Sequence, residues 1–132
     1  KIGVKFKATQ VFVPQVLMSA KAMGTAMKHL KQFFNDGSVQ RKGKFIIGTV
    51  EGDLHDIGKN LVSMMVEGNG YEVIDLGVDV KVEKFLEAIR ETPDAYVGMS
   101  ALLTTTMTNM AQINAAIKEE FPNTYNFFLI ST

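Results

Sequence analysis

From Lys44 onward the chain alternates short apolar, β-branched runs with longer stretches of helical periodicity, and this alternation restricts its fold more than any other feature. Phe45-Ile46-Ile47-Gly48-Thr49-Val50 reads as a short buried strand, followed by a polar loop over 51–56. A helix is predicted over 57–69, with Ile57, Leu61, Met64 and Met65 among its apolar positions and an end near Gly68 or Gly70. Tyr71-Glu72-Val73-Ile74-Asp75-Leu76 forms the second strand. Asp79 is placed to cap a helix over roughly 80–91, whose Val82, Phe85, Leu86 and Ile89 face inward. Pro93-Asp94 turns the chain into a third strand, Ala95–Met99; a loop from Ser100 leads to a helix near 106–120, and 125–131 make a fourth strand. Strand and helix repeated three times before a last strand imply an α/β fold, a mainly parallel sheet flanked by helices. Such sheets bind ligands at the carboxyl ends of their strands, so the loops 51–58 and 100–105 are the candidate sites.

The first forty residues read differently. Val16, Ala20, Met23, Met27, Leu30 and Phe34 recur at spacings of three and four, and Val13, Leu17 and Gly24 broaden the stripe. One long amphipathic helix over 14–34 is predicted, with Pro14 in its first turn, where a missing N–H costs nothing. Residues 1–12 show no clear element. Asn35-Asp36-Gly37-Ser38 is a stop signal, and 35–43 are expected to be a polar, basic connection. Met18, Met23 and Met27 fall close together, either as adaptable core filler or as a soft apolar surface over a ligand.

Charge follows the same division. The formal net charge is zero, yet residues 1–45 hold nine basic residues and one acid, Asp36, whereas 46–132 hold five basic residues and thirteen acids. No aromatic-rich basic surface accompanies the lysines, so nucleic acid is not an expected partner. His29, between Lys28 and Leu30, reads as a surface or interface residue. With no cysteine in the sequence, disulfides, thiolate zinc sites, iron–sulfur clusters and cysteine nucleophiles are excluded within these residues. No run of eighteen apolar residues predicts a membrane span, and the start lacks the order of a signal peptide, so a cytoplasmic location is expected.

The loop after the first predicted strand is the most informative segment. Gly48-Thr49-Val50-Glu51-Gly52-Asp53-Leu54-His55-Asp56-Ile57-Gly58-Lys59-Asn60 sets one histidine between two carboxylates at the entry to a helix. A neutral imidazole can give one nitrogen lone pair to a metal while its other nitrogen donates a proton to a carboxylate, which fixes the tautomer and strengthens the ligand. Asp53 and Asp56 both compete for that role, and Gly58 permits close approach of a large group to the backbone. The bland reading is an ordinary loop histidine in an acidic setting. With only two histidines and no cysteine, a four-ligand zinc site is hard to assemble, so a metal on His55 would draw most of its coordination from a macrocycle. Gly48, Gly52 and Gly58 are spaced too widely for a dinucleotide fingerprint, and Gly58-Lys59-Asn60 lacks the hydroxyl of a phosphate loop.

Asp53-Leu54-His55-Asp56-Ile57-Gly58 resembles the Asp-x-His-x-x-Gly signature of cobalamin-binding domains, and its flanks, Gly48 to Gly52 and Gly58 to Val62, resemble the family too. Ser100-Ala101-Leu102, forty-two residues beyond Gly58, resembles the family's Ser-x-Leu element. Phe12-Val13-Pro14-Gln15-Val16-Leu17-Met18-Ser19-Ala20 resembles the helical cap of methyltransferase corrinoid proteins. The likeness covers roughly residues 10–120 and extends to the methyl-carrying subunits of methanol and methylamine methyltransferase systems and to the cobalamin module of methionine synthase.

The resemblance implies a Rossmann-like cobalamin-binding domain over 44–132, truncated at its C-terminus, preceded by part of a helical-bundle cap over 1–40. It implies that the corrinoid's nucleotide tail enters a slot lined by Ser100 and Leu102 and passes the backbone at Gly58. His55 becomes the lower axial cobalt ligand, and Asp53 accepts its ring proton. Thr106 stands where methionine synthase has the serine that completes the relay. Asp56 borders the same loop, and Met18 and Met23, with Phe12, Val13 and Leu17, are candidate contacts to the upper face. The implied function is a methyl carrier whose cobalt takes a methyl group from one methyltransferase and hands it to another, with a reductive activator as a further partner and the basic segment available for docking an acidic one. The chain departs from the family pattern in two ways. It supplies about two of the four usual cap helices, and it ends at Phe127-Phe128-Leu129-Ile130-Ser131-Thr132, before a Gly-Gly element that helps hold the tail. A cobalamin-binding sensory or regulatory module is the second reading, and a cofactor-free α/β interaction domain the third.

Overall fold

The computed structural model describes residues 1–37 and 40–130, with the backbone alone at Phe34 and Asn35. The expectations that fall on Ser38, on the Phe34 side chain and on residues 131–132 lie outside the described residues. The chain divides into two compact units, Lys1–Gln40 and Arg41–Thr132.

In the first unit, helix α1 (Ile2–Lys7) packs against α2 (Val13–Asn35). Pro14 lies in the first turn of α2, and the Gln15 side chain accepts the Phe12 N–H at 2.5 Å, closing the helix start. Val16, Leu17, Ala20, Gly24 and Met27 form its half-buried line. Met23 and Leu30, expected on that line, sit at its edge and are exposed. α1 was not expected, because six residues with a glycine among them are too short to show a period.

In the second unit the elements are β1 (Lys44–Thr49), α3 (Ile57–Gly68), β2 (Glu72–Asp75), α4 (Val82–Glu91), β3 (Tyr96–Ala101), α5 (Thr104–Glu120) and β4 (Asn126–Ile130). The strands lie in the order β2-β1-β3-β4, all parallel. Ile46 pairs with Ile74 and Val97, so alternate residues of neighbouring strands share a face. One face carries Ile46, Val50, Val97 and Met99, which form a core with Phe85 and Ile89 of α4 and Ile113 and Ile117 of α5. These side chains are almost wholly buried, each worth roughly 1.5–3 kcal/mol of transfer free energy. The opposite face carries Phe45, Gly98 and Phe127, with Val62 and Val66 of α3 beside Phe45. The Phe45 ring lies over Gly98, where an added Cβ would meet it at 2.9 Å. Among the described residues, no helix is long and apolar enough to cross a membrane.

One local expectation requires correction. Asp79 does not cap α4, whose N-cap position is Lys81; Asp79 adopts φ 51° and turns its carboxylate to the neighbouring loop. Of the apolar positions of α3, Ile57 and Met65 are exposed, and the buried position in the first half of the helix belongs to Lys59. The inward face therefore runs through residues 59, 62 and 66, a helical spacing that the run of apolar residues around it conceals.

The chain runs from β1 outward to β2, then crosses back to β3 on the other side of β1. The connections that leave β1 and β3 therefore diverge, and a crevice opens between them at the carboxyl ends of the strands. The candidate segments 51–58 and 100–105 flank this crevice, where the connections run over 50–56 and 102–103.

Candidate functional site

The loop that leaves β1 is held from three sides. Val50 donates its N–H to the Ser100 carbonyl of β3 at 3.0 Å. Gly52, at φ +83°, donates to Asp79 Oδ1 at 2.8 Å, and Asp79 returns its own N–H to the Asp53 carbonyl at 3.0 Å. Asn109 of α5 donates from Nδ2 to the Glu51 carbonyl at 2.7 Å. The positive φ at residue 52 favours glycine, since a Cβ there is sterically disfavoured.

These contacts bury Asp53 completely. Its Oδ1 accepts the His55 N–H at 3.0 Å and faces the His55 ring Nδ1 at 2.7 Å. Its Oδ2 accepts from the Leu102 N–H at 2.8 Å, the Leu103 N–H at 3.3 Å and the Thr106 hydroxyl at 2.7 Å. Burial alone would push this carboxyl up. The N–H groups of His55 and Leu102, the Thr106 hydroxyl and the His55 ring outweigh it and hold Asp53 well below the usual carboxylate range. The group is therefore an anion, and a neutral His55 ring facing it bears its proton on Nδ1.

His55 is fixed along its length. Thr49, wholly buried at the end of β1, donates its hydroxyl to the His55 carbonyl at 2.9 Å. The imidazole is 53% exposed, and Nε2 has no partner among the described residues. One lone pair is thus available on a ring whose other nitrogen is anchored to a buried anion, the arrangement that raises ligand basicity.

The remaining candidates fall into three groups. Leu102 and Thr106 converge on Asp53, Leu102 through its backbone rather than its side chain. Ser100 is buried at the end of β3, paired in register with Thr49, and Gly58 lies half-buried in the first turn of α3. Asp56 does not reach the imidazole: it is exposed at the start of α3, and its Oδ2 accepts from Asn60 at 3.0 Å. Of the two carboxylates that compete in the sequence, Asp53 alone holds the ring. Met18 and Met23 are exposed on α2 of the first unit.

Thr49, Asp79 and Asn109 also build the loop, a role the sequence did not assign to them, Asp79 being expected only as a helix cap. Their signals are a hydroxyl at a strand end, an aspartate two residues after Gly77, and an asparagine one turn beyond Thr106. None is distinctive without the topology that brings them together.

Among the described residues, no cluster of three or more histidine, cysteine, aspartate or glutamate side chains is available to hold a metal ion. A metal on His55 must arrive with most of its coordination already filled, and a single open imidazole nitrogen on a half-exposed ring fits a metal carried in a macrocycle.

A parallel α/β sheet with an aspartate-anchored, open histidine at its switch point defines a corrinoid-binding type of domain. The comparisons with known proteins agree. A B12 binding domain model matches residues 43–128, and a second B12 binding domain model matches residues 1–31. The chain is 42% identical over 120 residues to dimethylamine corrinoid protein 3 of Methanosarcina acetivorans, covering 91% of this chain and 56% of that protein. It is 40% identical over 121 residues to trimethylamine corrinoid protein 1 of the same organism, covering 90% of this chain and 56% of that one. Among solved structures, it resembles a cobalamin-binding protein from Desulfitobacterium hafniense DCB-2 with a TM-score of 0.78 and 32% identity, covering 98% of this chain and 62% of that one. It also resembles the methanol:cobalamin methyltransferase complex of Methanosarcina barkeri with a TM-score of 0.74 and 34% identity, covering 98% of this chain and 49% of that one. The chain belongs to the B12-binding domain family, and cobalamin is the cofactor of that family. It spans little more than half the length of the two corrinoid proteins.

Proposed function

We propose that this chain is the corrinoid-holding part of a methyl carrier that works between two methyltransferases. The observation that carries the reading is the His55 imidazole, fixed at Nδ1 by a buried, ionised Asp53 and free at Nε2. When bound, the corrinoid supplies a cobalt centre that accepts a methyl group from one partner and yields it to another. The chain's own residues would bind and tune it. His55 would offer Nε2 to the cobalt. Asp53 would keep the ring in one tautomer and orientation, and Thr106 and the Leu102 N–H would keep Asp53 charged. Gly58, Ser100 and Leu102 would border the slot for the nucleotide tail, with Asp56 at its rim.

The relatives support the choice of chemistry: two are named as dimethylamine and trimethylamine corrinoid proteins, and one structural neighbour is a cobalamin methyltransferase complex. The partners are then methyltransferase subunits, with a reductive activator, all acting in the cytoplasm. The surplus of lysine in residues 1–45 supports docking onto acidic partner surfaces.

The test is an absorption titration of the protein with hydroxocobalamin. Saturable binding with a spectral change that His55→Ala abolishes is expected. Absence of binding, or binding that His55→Ala leaves unchanged, overturns the assignment. Transfer of a methyl group from the loaded protein to a partner methyltransferase then separates a carrier from a cobalamin-binding module without turnover.

A further inference from the structure

Lys59 is 2% exposed, and the chemistry above makes no use of it. It lies in the first turn of α3, two residues after Ile57 opens the helix. A cation there opposes the positive end of the helix dipole and is desolvated as well, so an apolar residue would serve packing better. Its Nζ donates to Asp75 Oδ2 at 2.6 Å and to Asn60 Oδ1 at 2.8 Å. A position where the local rules are broken calls for a compensating task.

Asp75 supplies that task. It ends β2, and its second oxygen, Oδ1, accepts the Gly77 N–H at 2.8 Å, shaping the turn after the strand. That turn is the shelf on which the His55 loop rests. The Gly77 carbonyl accepts the Thr49 N–H at 2.9 Å, and Val80 donates to the Thr49 carbonyl at 2.9 Å. Asp79, from the same turn, holds Gly52 and Asp53. The beginning of the His55 loop is thus tied to the 77–80 turn through Thr49, Gly52 and Asp53. Its far end, the first turn of α3, is tied to the same turn through Lys59 and Asp75. The two ties close a ring around residues 50–58.

We propose that Lys59 and Asp75 are positioning residues for the His55 loop. Their ion pair fastens the exit of the loop to the turn that already holds its entrance, so that His55 is presented in one place. Neither residue is among those proposed to hold the cofactor, and the inference rests on the proposed role of His55 as the ligand-bearing residue.

Hydrogen exchange on the full cofactor-free chain tests it, with Lys59→Met and Asp75→Asn as independent variants. Both are expected to speed exchange of the amides of residues 50–56 by about ten-fold or more, the scale of one charge-assisted hydrogen bond. Val97 and Ile113, in the core, are expected to exchange as in the unaltered chain. The double variant is expected to behave as either single one, because the two residues form one tie. In hydroxocobalamin titrations, both variants are expected to bind with a spectrum shifted toward that of His55→Ala. Acceleration spread evenly over loop and core, or a loop and spectrum unchanged in both variants, overturns the proposal. If hydroxocobalamin fails to bind the unaltered chain, the function proposed above fails, and the exchange data alone decide the positioning role.

Discussion

Asp53 and His55 are bonded twice through a single oxygen. Asp53 Oδ1 accepts the His55 backbone N–H at 3.0 Å and faces ring Nδ1 at 2.7 Å. The carboxylate thereby fixes both the backbone and the ring of the residue whose other nitrogen stays open.

Asp53→Ala removes the acceptor for three backbone N–H groups, a hydroxyl and a ring nitrogen in a buried place. It is expected to lower unfolding free energy by about 2–5 kcal/mol, as orphaned buried donors do. Hydroxocobalamin affinity is expected to fall about 10–100-fold, the usual effect of losing the partner behind a metal-binding histidine. Urea denaturation and absorption titration measure the two losses separately.

Acid sensitivity is expected to pass through the same carboxyl. Asp53 is held below its unfolded value, so the unfolded chain takes up its proton first. The stabilisation is complete above the unfolded carboxyl value of about 3.9 and is lost progressively as pH falls below it toward the depressed folded value. Denaturation midpoints followed from pH 6 downward should fall more steeply for the unaltered chain than for Asp53→Asn. Parallel curves would contradict the assignment.

Thr106→Val keeps the shape of the side chain and deletes the hydroxyl that lies 2.7 Å from Asp53 Oδ2. A loss of about 1–3 kcal/mol is expected, since the partner is an ion in a buried place. Thr106→Ser should retain most of the stability and the full spectral change on binding hydroxocobalamin. A loss in Thr106→Ser as large as that in Thr106→Val would contradict a dominant role for the hydroxyl, since serine keeps it and lacks only the methyl group.

Gly98→Ala tests the packing of the sheet beneath the site. A Cβ there meets the Phe45 ring at 2.9 Å and Ile47 Cγ1 at 3.2 Å, while β1 and β3 are hydrogen-bonded neighbours with little room to part. Destabilisation of about 1–3 kcal/mol is expected. The double variant Gly98→Ala/Phe45→Leu should recover part of it, which chemical denaturation reads directly.

The four strands and the three helices between them were legible because each combines a clear period with flanking turn residues; the strand expected at 95–99, for example, is observed at Tyr96–Ala101. The motif around His55 was legible because it is contiguous. What stayed hidden depends on the approach of distant segments. Leu102 entered the reading as a side chain lining a slot, yet its backbone N–H holds Asp53, and no side-chain pattern encodes that. Asp79 looked like a helix cap because caps are local, whereas its real partner, Gly52, lies 27 residues away. The burial of Lys59 had no signal in the sequence, because a lysine is rarely buried and its partner, Asp75, lies 16 residues further along the chain.

The donors gathered by Asp53 Oδ2 lie 49, 50 and 53 residues further along the chain. Loops of that size close late in folding, after the local helices have formed, because their entropy must be met before any bond rewards it. A newly made chain thus has no oriented histidine until β3 has settled beside β1. Under the role proposed for His55, cobalamin would meet a competent ligand only on a molecule whose sheet is already assembled, and loading would follow folding.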